Sequence, residues 1–267
     1  MTLSEISIYP VKSCGAIALD TAAVEARGLA GDRRWMIVRE DGRFVTAREA
    51  PSLVTVAVTL TRGGLEFRAP GMPSLAVAAP LADLGRTAVT VWKDETTAGD
   101  AGDEAAAWCS EFLDRPCRLV HQREEDVRSI AQRPGGRPGD AVSFADGYPL
   151  LVIGSASLAA LNERLATPVS MARFRPNVVV TTTEPFVEDT WTRVRIGDLE
   201  FDCARRCTRC VLTTVDPASG EKHADGEPLK TLRSFRFDRE ERGILFGVNL
   251  IPRGTGRVAV GDRVTPS

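Results

Sequence analysis

Three cysteines lie within a short stretch late in the chain and are interleaved with arginines. The stretch is Cys203-Ala-Arg-Arg-Cys207-Thr-Arg-Cys210. Nearby guanidinium charges lower the pKa of a thiol, and a coordinated metal removes its proton altogether. This pattern therefore predicts a sulfur atom that binds a metal or attacks a substrate.

Three kinds of metal site would use such cysteines. A zinc or iron–sulfur site usually needs four protein ligands, but His121 and His223 stand at no usual spacing from the cysteines. The spacing also resembles the cluster motif of radical SAM enzymes, but that motif lies early in its barrel, whereas only residues 211–267 follow Cys210. The third kind is one thiolate on a metal whose other ligands come from an organic cofactor, which needs no further protein ligand.

Strands are the main elements that must position these cysteines. Apolar residues alternate with polar ones along residues 53–61, and Asp41-Gly42 and Gly63-Gly64 predict two hairpin turns. Cys203 ends the alternating run from Leu199 and is predicted to be a core residue. Further strands are predicted at residues 89–91, 178–180, 194–196, 199–201, 211–215, 244–250 and 258–264. Helices are predicted at residues 104–113, after a capping Ser155, and at 228–235. Residues 122–140 are predicted to form a mobile loop or a linker at the domain boundary.

Composition narrows the class of protein. The 267 residues are 43% hydrophobic and carry a net charge of −2, which gives no basic excess for a nucleic-acid partner. Six cysteines are too few for a disulfide-dense secreted scaffold. Neither a signal peptide nor a membrane-spanning run is evident, so we expect a cytoplasmic protein with no membrane or nucleic-acid partner. The many short strands predict a mostly β (α+β) fold, with a barrel or sandwich.

Residues 209–217, Arg-Cys-Val-Leu-Thr-Thr-Val-Asp-Pro, resemble the signature of the MOSC family, and within it the amidoxime reducing components and their bacterial relatives. The resemblance continues in residues 220–236, 174–177 and 245–247. Near the N-terminus, residues 8–13, 28–33 and 45–48 resemble the small β-rich domain that precedes MOSC in these proteins. The resemblance covers nearly the whole chain, in the order of the family.

This resemblance implies a set of site residues. The molybdenum-ligating cysteine of the family falls on Cys210, which would be both the metal ligand and the catalytic residue. The residues expected to bind the cofactor are Lys12, Ser13 and Arg33 at the pterin phosphate, with Asp146, Arg175 and Asn177. Guanidinium and ammonium groups suit a phosphate. Eukaryotic relatives carry two small hydroxyl residues after the aspartate, where this chain has Gly147-Tyr148, so Asp146 alone is expected to serve there.

The resemblance also implies an architecture and a function. We expect an N-terminal MOSC-associated β domain at residues 1–120, a MOSC β-barrel domain at 121–267, and a molybdenum cofactor (molybdopterin) between them. The expected activity is reduction of N-hydroxylated compounds, namely amidoximes, hydroxylamines and N-hydroxylated bases, to amidines or amines. Because no ferredoxin domain follows, a separate electron donor is expected: a ferredoxin, a flavodoxin-type reductase or a cytochrome b5-like protein.

Two alternatives stay open. The chain could carry sulfur as a Cys210 persulfide, or carry the cofactor itself, as the MOSC domain of cofactor sulfurases suggests. It could also be a zinc-stapled interaction module without enzymatic activity.

Overall fold

The computed structural model describes residues 1–80 and 85–267 and confirms a mostly β fold. The strands are β1 (Thr2–Ile8), β2 (Ile17–Leu19), β3 (Thr21–Glu25), β4 (Gly28–Leu29), β5 (Trp35–Val38), β6 (Ala57–Thr61), β7 (Gly64–Arg68), β8 (Leu75–Ala78), β9 (Arg86–Val91), β10 (Asp94–Asp100), β11 (Arg118–His121), β12 (Leu150–Gly154), β13 (Val178–Thr181), β14 (Arg193–Ile196), β15 (Leu199–Arg209), β16 (Phe237–Asp238), β17 (Gly243–Pro252), β18 (Gly256–Ala259) and β19 (Val264–Pro266). The α-helices are α1 (Asp103–Leu113), α2 (Ser155–Asn162) and α3 (Leu229–Arg236), and short 3-10 helices span Pro51–Thr55, Met171–Phe174, Val187–Thr190 and Val211–Thr214. None of the helices in the two described ranges is long and apolar enough to span a membrane.

The largest sheet forms a barrel. Its order is β19-β14-β15-β17-β12-β13-β1-β2, with β16 paired to β17. The two sides of the barrel meet where the backbone N–H of Val264 donates to the carbonyl of Met1 at 2.9 Å. A closed sheet leaves few unpaired backbone groups at its edges.

Alternation along the strands separates an inner core from an outer one. On β12, Val152 packs inside the barrel, while Ile153 faces outward. The outer face is covered by α2 and α3, and it is closed by Phe174 and Phe246, whose ring centroids lie 4.3 Å apart. Burial on both faces explains why β12 is apolar throughout.

The N-terminal part builds its own core on the sheets β6-β7-β8 and β5-β11-β10-β9. Helix α1 lies over this core, where Trp108 stacks on Phe67 with ring centroids 5.0 Å apart. Two features link this part to the barrel: strand β1 pairs with β13 inside the barrel sheet, and Val215 enters the N-terminal core. The boundary between residues 120 and 121 stays a prediction.

Several sequence predictions are wrong in detail. Residues 53–55 belong to the 3-10 helix Pro51–Thr55 and not to a strand, because Pro51 fixes φ and lacks a backbone donor for a sheet. The strand predicted at 258–264 is two strands, separated by a turn in which Asp262 accepts from the N–H of Ala259. Ser155 begins α2 but makes no side-chain cap hydrogen bond.

In the segment predicted as a mobile loop or linker, residues 122–140, several side chains of the first half are buried: Gln122, Arg123, Asp126, Arg128 and Ile130. Arg128 is almost fully buried and donates to the carbonyls of Ser143 and Asp146 at 2.9 and 3.0 Å. Ile130 contributes to a small apolar cluster. Charge in this segment therefore supports the loop that carries Asp146.

The outer core gives a stability prediction. Phe246 is fully buried, so Phe246→Ala is expected to lower the free energy of unfolding by about 3–5 kcal/mol, since it removes packed apolar surface and leaves a cavity. Phe237, which is 49% exposed, is the matched control, and its change to alanine should cost less than about 0.5 kcal/mol. Urea unfolding followed by circular dichroism measures both, and equal losses would contradict the assigned core.

Candidate functional site

A cavity of about 450 Å³ opens between the barrel and the N-terminal part. All seven predicted site residues line it: Lys12, Ser13, Arg33, Asp146, Arg175, Asn177 and Cys210. They come from five separate segments of the chain. The fold therefore brings together the whole predicted set.

Strand β15 leads to the two cysteines of the cluster that line this cavity, Cys207 and Cys210. Its pairing with β17 shifts register between Cys203 and Arg205, and again between Arg206 and Thr208. Such bulges re-aim side chains that would otherwise alternate between the two faces. As a result, every residue from Arg205 to Cys210 lines the cavity.

Cys210 sits where β15 ends and the 3-10 helix Val211–Thr214 begins. The side chain of Thr213 donates back to the Cys210 carbonyl at 3.0 Å, and that of Thr214 donates to the Val211 carbonyl at 2.8 Å. These hydroxyl bonds compete with strand pairing, so the strand predicted at 211–215 is a helical turn. They fix the backbone on which the Cys210 sulfur is mounted.

Arg173 ties this turn to the neighbouring 3-10 helix Met171–Phe174. Its guanidinium donates to the Thr214 carbonyl at 3.1 Å and pairs with Asp216 at 2.8 Å. Asp216 in turn accepts from the N–H of Ala218 at 2.8 Å and closes the next turn. The Thr-Thr-Val-Asp run of the motif therefore fixes the turn that follows Cys210.

Arg48 is the side chain that contacts the candidate metal ligand. Its Nε donates to Cys210 Sγ at 3.2 Å, and its Nη2 donates to Asp146 Oδ2 at 2.5 Å. A guanidinium in this position offsets negative charge on the sulfur. Arg48 links Cys210 to the loop that carries Asp146.

Lys12 and Asp146 form an ion pair in the same cavity. Lys12 Nζ donates to Asp146 Oδ1 at 2.5 Å and to the Phe144 carbonyl at 2.7 Å. Burial lowers the pKa of Lys12 to about 8, although Asp146 acts in the opposite direction. Loss of water alone would raise the pKa of Asp146, but the Lys12 and Arg48 cations outweigh it and hold that pKa well below its usual range.

Two further arginines stack on one tyrosine ring. The guanidinium carbons of Arg33 and Arg175 lie 4.5 and 4.1 Å from the centroid of Tyr9. Arg33 pairs with Asp32, whereas Arg175 donates to the carbonyl of Cys14 at 2.7 Å. Among the described residues, no carboxylate lies within ion-pair distance of Arg175. Burial, reinforced by the nearby Arg33 cation, lowers the pKa of Arg175 to about 10.

The side chain of Asn177 mainly joins segments of the protein through hydrogen bonds, which leaves it less available to bind a ligand. Its Oδ1 accepts from the N–H of Leu151 and from Arg33, both at 3.2 Å, and its Nδ2 donates to the Ser7 carbonyl at 3.2 Å. The side chain thus joins β1, β12 and Arg33. Asn177 lines the cavity, but the geometry favours a role in holding Arg33 in place.

Backbone strain concentrates at this cavity. Seven non-glycine residues in the described ranges have positive φ, and four of them line it: Ser13, Arg33, Trp92 and Arg175. Such conformations persist only where the surrounding structure enforces them, and they cluster at functional sites. This distribution points to the cavity independently of the sequence motifs.

The other two cysteines of the cluster differ from Cys210. Cys207 lines the cavity and accepts from Arg209 Nη1 at 3.1 Å. Cys203 packs against the barrel core, as predicted, and burial raises its pKa to about 12. Across residues 1–80 and 85–267, no group of three or more His, Cys, Asp or Glu side chains is placed to hold a metal ion.

Arg48, Trp92, Arg173 and Arg209 are four of the lining residues that the sequence did not predict. Arg48 ends the N-terminal run 45–48 that resembles the family, and Arg209 immediately precedes Cys210, so both stand in the motifs. Arg173 lies one residue before the 174–177 motif. Trp92 follows a predicted strand, and nothing in the sequence indicates that it reaches this cavity.

Comparisons with known proteins agree with this architecture. The family model described as "MOSC N-terminal beta barrel domain" matches residues 1–116, and the one described as "MOSC domain" matches residues 139–265. The chain is therefore similar, over both parts, to proteins that combine these two domains.

Two curated relatives extend the similarity to the whole chain. Mitochondrial amidoxime reducing component 2 of Bos taurus is 37% identical, over 98% of this chain and 82% of the relative. Mitochondrial amidoxime-reducing component 1 of Homo sapiens is 36% identical, over 98% and 82%. Among solved structures, the YUAD protein from Bacillus subtilis matches with a TM-score of 0.42 at 10% identity, over 99% of this chain and 94% of that one. The chain belongs to the MOSC-domain family that includes the mitochondrial amidoxime reducing components.

The pKa of Lys12 gives a pH prediction for anion binding. A dianion binds best while Lys12 is charged. The affinity of the cofactor-free protein for sulfate should therefore be highest below pH 8. Above pH 8 it should fall, by at most about tenfold per pH unit, because binding then requires uptake of one proton. Calorimetric titration with sulfate between pH 7 and 9.5 measures this.

Two lysine variants test the assignment. Lys12→Met should bind sulfate more weakly at pH 7 and lose the pH dependence. Lys230→Met, on the exposed face of α3, should behave as the parent protein. Equal sulfate affinity of the parent at pH 7 and 9.5 would show that Lys12 does not contribute to an anion site.

Proposed function

We propose that this protein is a molybdenum-cofactor oxidoreductase that reduces N-hydroxylated compounds. The main support is the site of Cys210: a thiol on a turn held by threonine hydrogen bonds, in a cavity rich in cationic side chains. The names of its relatives, amidoxime reducing components, support the same class of reaction.

The residues of the cavity fit such a cofactor. Arg175 carries a cation with no carboxylate partner in the described part of the chain, and an anionic ligand would stabilise a partly buried cation of this kind. Arg209 lines the same cavity, and its Nε is buried with no acceptor among the described residues. A phosphate on an organic cofactor would satisfy both requirements.

Each residue has a role in this proposal. Cys210 would supply the one protein ligand to the metal, and Arg48 Nε would orient the sulfur and offset its charge. Lys12, Arg33 and Arg175 would hold the phosphate, with Ser13 beside them. Asp146 would keep Lys12 and Arg48 in place. When bound, the cofactor supplies a molybdenum centre that exchanges two electrons with the substrate.

In the proposed reaction the N–O bond of the substrate breaks. An amidoxime takes up two electrons and two protons and leaves as an amidine and water. Hydroxylamines and N-hydroxylated bases would react in the same way. The electrons would come from a separate ferredoxin, flavodoxin-type reductase or cytochrome b5-like protein.

The direct test uses protein produced in a host that makes the cofactor. We expect near-stoichiometric molybdenum by elemental analysis, and reduction of benzamidoxime to benzamidine with an artificial reductant. A mass gain of one sulfur atom on Cys210, without any reduction, would instead favour the sulfur carrier. Stoichiometric zinc without molybdenum would favour the interaction module.

Replacement of the candidate ligand gives a sharper prediction. Cys210→Ser should abolish reduction with the fold intact, because a harder oxygen ligand changes the metal and its potential. Cys203→Ser, on the strand that leads to Cys210, is the matched control: it should lower stability but keep turnover per molybdenum. Melting temperature, metal content and benzamidoxime turnover, measured on both, separate these effects. Full turnover in Cys210→Ser would exclude Cys210 as the catalytic residue.

A further inference from the structure

Trp92 occupies an unusual backbone position beside the cavity. Because Val91 pairs with Asp94, the turn between β9 and β10 consists of only Trp92 and Lys93. Trp92 has a φ of 60°, a conformation that two-residue hairpin turns usually give to glycine or asparagine. For a bulky residue such a φ is an outlier. The chain therefore keeps an indole where a smaller residue would be less strained.

Three contacts hold the indole at the cavity. The guanidinium of Arg48 lies 4.9 Å from the ring centroid, and the indole N–H donates to Asp146 Oδ1 at 3.2 Å. Phe44 meets the ring edge to face, with centroids 5.2 Å apart. These contacts orient the ring, yet the residue stays 52% exposed, so part of the ring surface is free.

The indole is also close to the candidate metal ligand. Arg48 contacts both the Trp92 ring and the sulfur of Cys210, so a single side chain separates them. Trp92 and Cys210 line one cavity. A flat group that stacks on Trp92 would therefore share this cavity with the sulfur.

We infer that Trp92 is a specificity-determining residue, an aromatic platform that favours planar aryl N-hydroxylated substrates over aliphatic ones. The inference rests on the proposed function and adds the substrate class. Aromatic rings stack in offset or edge-to-face arrangements with a gain beyond their buried area, and an alkyl group lacks this gain. Trp92 would act by binding the substrate, not by taking part in the redox step.

Fluorescence tests the binding step without the cofactor. Of the four tryptophans, Trp35, Trp108 and Trp191 are buried, and Trp92 alone is strongly exposed. Titration of cofactor-free protein with benzamidoxime should quench the exposed, red-shifted emission at millimolar concentrations, whereas acetamidoxime should not. Trp92→Phe should lose this signal. Equal quenching by both compounds, or persistence of the signal in Trp92→Phe, would overturn the inference.

Kinetics of the loaded enzyme test the selectivity, with an artificial reductant so that no donor protein is involved. In Trp92→Gly the ratio of kcat/KM for benzamidoxime to that for acetamidoxime should fall roughly 2- to 10-fold, mainly through KM. Glycine accepts a positive φ, so this variant is expected to fold. Trp92→Phe should keep most of the ratio. Phe237→Ala, at an equally exposed ring that does not line the cavity, should leave it unchanged.

The outcomes separate the two proposals. An unchanged ratio in Trp92→Gly, with turnover retained, would remove the role of Trp92 and leave the proposed function standing. If the loaded parent enzyme reduced neither compound, the proposed function would fail. The fluorescence titration would still decide whether Trp92 binds planar groups.

Discussion

The site depends on one electrostatic constraint: it holds a positive charge that no carboxylate of the described residues balances. Most of the arginines that line the cavity have a carboxylate: Arg33 has Asp32, Arg173 has Asp216, and Arg48 has Asp146. Arg175 instead has a carbonyl and the face of Tyr9. Removal of a cation from water is costly unless an anion or several acceptors replace the water. In this protein the Arg175 cation is partly removed from water without a carboxylate to balance it. Such an arrangement is expected of a site that binds an anionic ligand.

Rigid backbone supplies the second requirement, fixed positions for groups that come from distant segments. Arg48 and Cys210 are 162 positions apart in sequence, and Lys12 and Asp146 are 134 apart. Short turns with positive φ and threonine hydroxyls that return to the chain set the direction of each side chain. Because these turns and hydrogen bonds are local, each segment orients its own functional side chain. A site on such supports needs little reorganisation when a ligand binds.

The sequence predicts this site unevenly, for physical reasons. Cys210, Lys12 and Arg175 stand in short motifs that resemble those of the MOSC family, and all of them line the cavity. Trp92 and Arg173 reach the cavity only through tertiary contacts, and no local pattern encodes those. The predicted strands are largely correct, including β13, β14 and β17. The errors at residues 53–55 and 211–214 arise where a proline, or hydroxyls bonded to the backbone, replace sheet pairing.

The insertion of β1 into the barrel bears on how the chain folds during synthesis. Residues 2–6 pair with residues 178–181, so the first strand leaves the ribosome long before its neighbour in the sheet exists. Until then its apolar residues, such as Leu3 and Ile6, have no barrel in which to be buried. Loop closure over so long a stretch is slow, and exposed strand edges favour association with other chains. The N-terminal part therefore cannot finish folding before the barrel forms. The cavity between them is complete only when the barrel is complete.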